Sequence, residues 1–110
     1  DEPTIEALKK HKLTSYNIKV FLGTWCGDSH REVPRLMKIL DLLKYPENKV
    51  VLIALNRKKE GPNGEETSYS IKRVPTIILE KHGKEIGRII ESPQSTGFLE
   101  KDLLEIITKK

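Results

Sequence analysis

The sequence predicts an α/β domain built on a mixed sheet of about four strands. Three observations carry that expectation. An apolar run over 18–23 leads into a helical pattern over 29–43 and then into a second apolar run over 49–56. Strand, helix, strand at this spacing is a right-handed crossover joining parallel strands. Two further short runs, 76–80 and 85–90, flank a turn carrying Gly83 and read as an antiparallel hairpin. With 110 residues the chain has room for one domain, 1–110, and one core.

Each element has its own local reason. Residues 4–10 read as a short helix, with Ile5 and Leu8 one turn apart and Pro3 near the start. The run Ile18-Lys19-Val20-Phe21-Leu22 is short and nearly continuous, as in a strand buried on both faces. Over 29–43, Val33, Leu36, Met37, Leu40 and Leu43 recur at helical spacing, so one face is buried. Tyr45-Pro46-Glu47-Asn48 breaks that helix, and 49–56 is the most apolar strand of the chain. Residues 57–64 form a charged loop rich in turn residues, read as solvent-exposed, and 65–70 as a short helix returning to the sheet. After the hairpin, 91–97 connects to a terminal helix marked by Leu99, Leu103, Ile106 and Ile107. Lys109 and Lys110 suit its negative end.

The chemistry gathers in Gly23-Thr24-Trp25-Cys26-Gly27-Asp28-Ser29-His30-Arg31-Glu32-Val33-Pro34, which holds the only cysteine and the only tryptophan. A cysteine at a strand-to-helix junction sits near the first free N–H groups of the helix. Those donors and the positive end of the helix dipole favour thiolate over thiol, and the thiolate is the nucleophile. Free cysteines are more often buried small hydrophobes, but Gly27 and Asp28 beside Cys26 pack no core.

Trp25-Cys26-Gly27-Asp28-Ser29 resembles the Trp-Cys-Gly-Pro-Cys site of the thioredoxin-like family. Pro34 falls eight residues after Cys26, where the family carries a helix-kinking proline. Val74-Pro75-Thr76, with Pro75 49 residues after Cys26, is similar to the family's cis-proline loop, and Lys81-His82-Gly83-Lys84 to its last hairpin. The resemblance implies a thioredoxin-like fold, a central mixed sheet of about four strands flanked by helices on both faces. Family members often open with an extra strand, and none is read here before the first helix. The resemblance also implies redox activity, with Cys26 as nucleophile and Trp25, Gly27, Asp28, Val74, Pro75 and Glu91 on the substrate side. Pro75 would be cis, although only ~5–6% of X-Pro bonds are. The Val74 backbone would pair with an extended substrate.

The departures define the expected chemistry. The family's second cysteine is Ser29, which makes the motif Cys-x-x-Ser, a monothiol. Such a site forms mixed disulfides but cannot close its own ring to eject the product. Ser29 has the spacing to donate a hydrogen bond to the thiolate, or is an ordinary first-turn serine. The family's buried acid is Val20 here and its lysine partner Ala54. Joint loss is self-consistent, since one member alone would leave a buried charge unpaired at roughly 3–5 kcal/mol. Glu91 stands where the family has glycine; its carboxylate selects basic partners or points into water, the second being the simpler expectation. His30, four residues after Cys26, is a pH-active neighbour or a solvated side chain, and no metal-ligand spacing joins it to His11 or His82.

Three readings follow. The first is a thiol–disulfide oxidoreductase with one nucleophilic cysteine, acting by mixed disulfides in reduction, isomerisation or deglutathionylation. The second is a non-catalytic thioredoxin-fold binding module. The third is a Cys-to-Ser variant of a dithiol disulfide reductase. Expected partners of the first are a disulfide-bearing protein or a low-molecular-weight thiol, met by a monomer, with no cofactor and no metal. The net charge of +4 is scattered and aromatics are 5%, which argues against nucleic acid. No stretch reads as membrane-spanning, so a soluble protein of cytoplasm or periplasm is expected. The chain opens on Asp1 rather than Met, so an upstream segment is expected to have preceded it.

Overall fold

The computed structural model describes residues 2–23, 27–56, 61, 64–93 and 95–108. In chain order the elements are α1 (Glu2–Lys10), β1 (Asn17–Leu22), α2 (Gly27–Leu42), β2 (Val50–Ala54), α3 (Glu65–Ser68), β3 (Thr76–Lys81), β4 (Lys84–Ile90) and α4 (Leu99–Thr108), with single 3₁₀ turns at Leu13–Ser15 and Glu47–Lys49. The four strands form one mixed sheet in the order β2-β1-β3-β4. β1 runs parallel to β2 and antiparallel to β3, and β3 is antiparallel to β4. His82 and Gly83 make the hairpin turn with φ of 54° and 77°. Two consecutive left-handed residues in a two-residue loop match the right-handed twist of the strands they join.

β1 lies inside the sheet, which explains its uninterrupted apolar run. Ile18 and Val20 point into a main core with Ile77, Leu79 and Ile89 from β3 and β4. Onto that face pack Ile5 and Leu8 of α1, Leu36, Ile39 and Leu40 of α2, and Leu99 and Leu103 of α4. Phe21 and Ile78 face the other way, into a smaller cluster with Leu55, Ile71 and Val74. There the Tyr69 ring, just after α3, lies 5.3 Å from the Phe21 ring. Helices therefore cover both faces unequally: α1, α2 and α4 on one, the single turn of α3 on the other. Lys19 and Glu80 form an ion pair on the α3 face, with the Lys19 ammonium 5.4 Å from the Tyr69 ring centre.

The most apolar strand is also an edge strand. Val51 is 44% and Leu52 52% exposed, because β2 has a neighbour on one side only. At the opposite side of the sheet, α4 lies close on β4. A Cβ built on Gly87 would stand 2.7 Å from Ile106 Cγ2, so the bare backbone at Gly87 is what lets the helix approach. The Asp102 carboxylate accepts the N–H (2.9 Å) and the hydroxyl (2.5 Å) of Thr96, tying the 95–97 turn to the start of α4. No helix of the described residues is long and apolar enough to cross a membrane.

Candidate functional site

The register of the sheet brings the candidate residues to one end. Phe21 pairs with Thr76, so the chain leaving β1 at Leu22 and Gly23 runs beside Pro75 and Val74. α2 begins at Gly27. The segment between, with the predicted nucleophile Cys26 and the predicted substrate wall Trp25, lies outside the described residues. Gly23 is buried and its N–H donates to Ser29 Oγ at 3.1 Å. Ser29 is itself only 3% exposed, so its hydroxyl ties the end of β1 to the first turn of α2. Gly27 is exposed, with open space where a side chain would stand. Asp28 lies in the first turn of α2 by its backbone. A helix start of this kind leaves its first amides without intrahelical partners and carries the positive end of the dipole.

The Val74–Pro75 bond is cis. Val74 is buried in the smaller core, and the Thr76 hydroxyl donates to the Arg73 carbonyl at 2.6 Å across the proline. Glu91, just past β4, donates its N–H to the Pro75 carbonyl at 2.7 Å. Its φ is +66°, a region in which a non-glycine residue costs about 1–3 kcal/mol. This is the position where the family has glycine. The Glu91 carboxylate is partly exposed, 32% by its side chain, and is paired as well. It accepts a hydrogen bond from Arg73 Nη1 at 2.8 Å, so the carboxylate on the groove is already met by a guanidinium.

The absent acid–lysine pair is structurally neutral. Val20 is fully buried among apolar side chains, and Ala54, its predicted lysine counterpart, is exposed at the end of the edge strand. Carboxylates are buried elsewhere. Glu32, one turn after Ser29, is 2% exposed on the inward face of α2. Its Oε2 accepts from Arg31 Nε at 2.6 Å and lies 3.5 Å from Arg35 Nη1, while Oε1 has no partner among the described residues. His30 is exposed on α2, and among the described residues no three His, Cys, Asp or Glu side chains converge on a metal position.

Sequence reasoning missed Arg73 and Glu32. Arg73 had a signal, since it immediately precedes Val74-Pro75, but its partner lies eighteen residues on. Glu32 had one too: a carboxylate three residues after Ser29 and four before Leu36 falls within the apolar stripe of α2.

A mixed four-stranded sheet whose first strand and long helix meet a cis-proline loop at one end defines a class of α/β proteins. No protein-family model matches the sequence, and neither does any curated protein. Solved structures do. Thioredoxin-2, described as a component of the malaria parasite's protein secretion machinery, superposes with a TM-score of 0.60 at 20% identity, covering 87% of this chain and 84% of its own. Fasciola hepatica thioredoxin gives 0.58 at 21%, covering 94% and 86%. Mitochondrial thioredoxin 3 from Saccharomyces cerevisiae, in its oxidised form, gives 0.51 at 25%, covering 77% and 74%. The chain has the thioredoxin-like fold.

Proposed function

We propose that this protein is a thiol–disulfide oxidoreductase acting through the single thiol of Cys26. The Cys26 thiolate attacks one sulfur of a substrate disulfide, forms the Cys26–substrate disulfide and expels the other sulfur as a thiolate. An external thiol, deprotonated, then attacks the mixed disulfide and releases Cys26 as thiolate. Electrons come from that external thiol, and the exchange itself needs no cofactor. The observation that carries the reading is the Phe21–Thr76 pairing. It runs the end of β1 beside the Val74–Pro75 loop, and the Gly23–Ser29 bond ties the start of α2 to that end, on a fold shared with thioredoxins. Ser29 fits a monothiol role, because its buried oxygen already serves the Gly23 amide. The substrates are a disulfide-bearing protein or a mixed disulfide of a low-molecular-weight thiol, met by a monomer in which Trp25, Gly27, Asp28, Val74, Pro75 and Glu91 face the substrate.

The test is turnover of a glutathionylated protein in the presence of glutathione. Release above the uncatalysed rate is expected from the native chain and none from Cys26→Ala. Equal rates for the two would end the catalytic reading, and retained partner affinity in Cys26→Ala would then favour a binding module.

A further inference from the structure

The α3 face of the sheet holds a cleft that the exchange chemistry does not account for. Lys72, Arg73, Thr76, Arg88, Ile90 and Glu91 line it, and it encloses about 430 Å³. Its floor is a cross-strand pair, Thr76 with Ile90, and Ile90 is 43% exposed there. The short α3 leaves this corner of the sheet open. The lining holds three cations to one carboxylate, and with Glu85, which pairs with Arg88 from outside it, the cluster keeps one net positive charge, that of Lys72. Glu85, outside this lining, takes two hydrogen bonds of 2.6 Å from Arg88 Nε and Nη2, and Glu91 takes one from Arg73 Nη1. Each guanidinium has five N–H donors, so Nη1 of Arg88 and Nε and Nη2 of Arg73 are not used by these bonds. Lys72 is exposed and makes no ion pair among the described residues.

Two features show that this rim is built. Glu91 sits at a positive φ with its N–H bonded to the Pro75 carbonyl, which fixes its backbone beside the proline. Its carboxylate in turn holds Arg73 at the cleft mouth. Arg73 is 68% exposed, and an exposed ion pair is worth only about 0–1 kcal/mol, so an incoming carboxylate can share the guanidinium at small cost.

We propose that this cleft binds an acidic side chain of the polypeptide whose disulfide reacts at Cys26, so that the protein selects disulfides in acidic segments. The inference rests on the oxidoreductase reading. The cleft starts at Thr76, next to Pro75, and an extended chain advances ~3.3 Å per residue. The selected Asp or Glu therefore lies in the segment that flanks the reacting cysteine. Selection for basic partners, the other role open to Glu91, is disfavoured because a cation entering the cleft would meet Lys72 as well as the Arg73 that pairs with Glu91.

The test uses the full chain and three peptides differing only at positions flanking one cysteine, with Asp, Ser or Lys there. Each cysteine is capped as a mixed disulfide with 2-mercaptoethanol, an uncharged group. Consumption of each is followed by mass spectrometry, with bis(2-hydroxyethyl) disulfide as a neutral small substrate. The readout is the ratio of Asp-peptide to Lys-peptide rates, which cancels the intrinsic reactivity of the thiol. A ratio of about ten or more at low salt is expected, falling towards one in 1 M salt and to one or below in Lys72→Glu. A ratio near or below one in the native chain, with the neutral disulfide still consumed, overturns the acidic preference and leaves the oxidoreductase reading standing. Failure to consume any disulfide overturns that reading and this inference with it.

Discussion

Replacing Ser29 by alanine tests the tether between the end of β1 and the start of α2. The Ser29 hydroxyl is buried and accepts the Gly23 N–H at 3.1 Å, and Gly23 is buried as well. Alanine removes the acceptor and offers nothing in its place, and a buried amide left unsatisfied costs roughly 1–3 kcal/mol. Alanine returns about 0.5 kcal/mol through its better helix propensity. The net loss is therefore about 0.5–2.5 kcal/mol. For a domain of this length that is a fall in Tm of ~2–10 °C. Urea denaturation should show a lower midpoint with an unchanged slope, since the same surface unfolds. Hydrogen exchange should localise the effect, with the Gly23 amide losing protection while Ile18 and Val20 on the same strand keep theirs. An unchanged midpoint together with an unchanged Gly23 exchange rate would refute the tether, and Ser29 would then be a solvated first-turn serine.

Three more expectations can be measured on the purified protein. Gly87→Ala drives a methyl against Ile106 Cγ2, so a loss of about 1–3 kcal/mol is expected; most of it should return in Gly87→Ala/Ile106→Ala, and additive losses in that double-mutant cycle would disprove the contact. Burial pushes the Tyr45 phenol up to about 12 from 10.0. A raised folded value means stability that is complete below pH 10 and drains away as pH rises towards 12, by up to about 2.7 kcal/mol at 1.36 kcal/mol per pH unit. Tyr45→Phe should flatten that part of the alkaline unfolding curve and cost ~1 kcal/mol at neutral pH for the bond to the Tyr16 carbonyl; an unflattened curve would rule Tyr45 out as the source. Glu32→Leu removes a buried carboxylate oxygen that has no partner among the described residues, together with the contacts of Oε2 to the half-exposed Arg31 and Arg35; at about 0–1 kcal/mol for those contacts against roughly 1–3 kcal/mol for the unsatisfied oxygen, a net gain of about 0–3 kcal/mol in urea denaturation is expected, and a loss would contradict the reading of that oxygen as unsatisfied.

What could be read from the sequence was what depends on near neighbours. The stripe of α2 placed that helix at 29–43, against the observed Gly27–Leu42, because a helical face repeats over a few residues. The hairpin was legible for the same reason: Gly83 marks a turn between two runs that pair with each other. β2 shows where local reading ends. Its apolar run predicts a strand and cannot say whether the strand is interior or edge. That depends on what pairs with its far side, and Val51 and Leu52 are exposed as a result. The Arg73–Glu91 pair was hidden for a related reason. Its members meet only because the β3–β4 hairpin folds back on the proline loop. Glu91 was picked out as a departure from glycine, but its partner was invisible until the turn closed.

The placement of charge ties the fold to the proposed chemistry. Inside the domain the buried carboxylates have partners of their own: Glu80 pairs with Lys19 on the α3 face, Asp102 caps the approach to α4, and Glu32 faces Arg31 and Arg35. On the proposed reading, stabilisation of the Cys26 thiolate then falls to the amides and dipole of the α2 terminus, which need no proton partner. A thiolate stabilised in this way is also a good leaving group, so its mixed disulfide is readily broken by an external thiol. A chain with Ser29 in place of a second thiol depends on that property, because nothing within it can resolve the intermediate. Discrimination among substrates then falls to the cationic rim of Lys72, Arg73 and Arg88. A site that cannot hasten its own release gains most by selecting which disulfide it attacks.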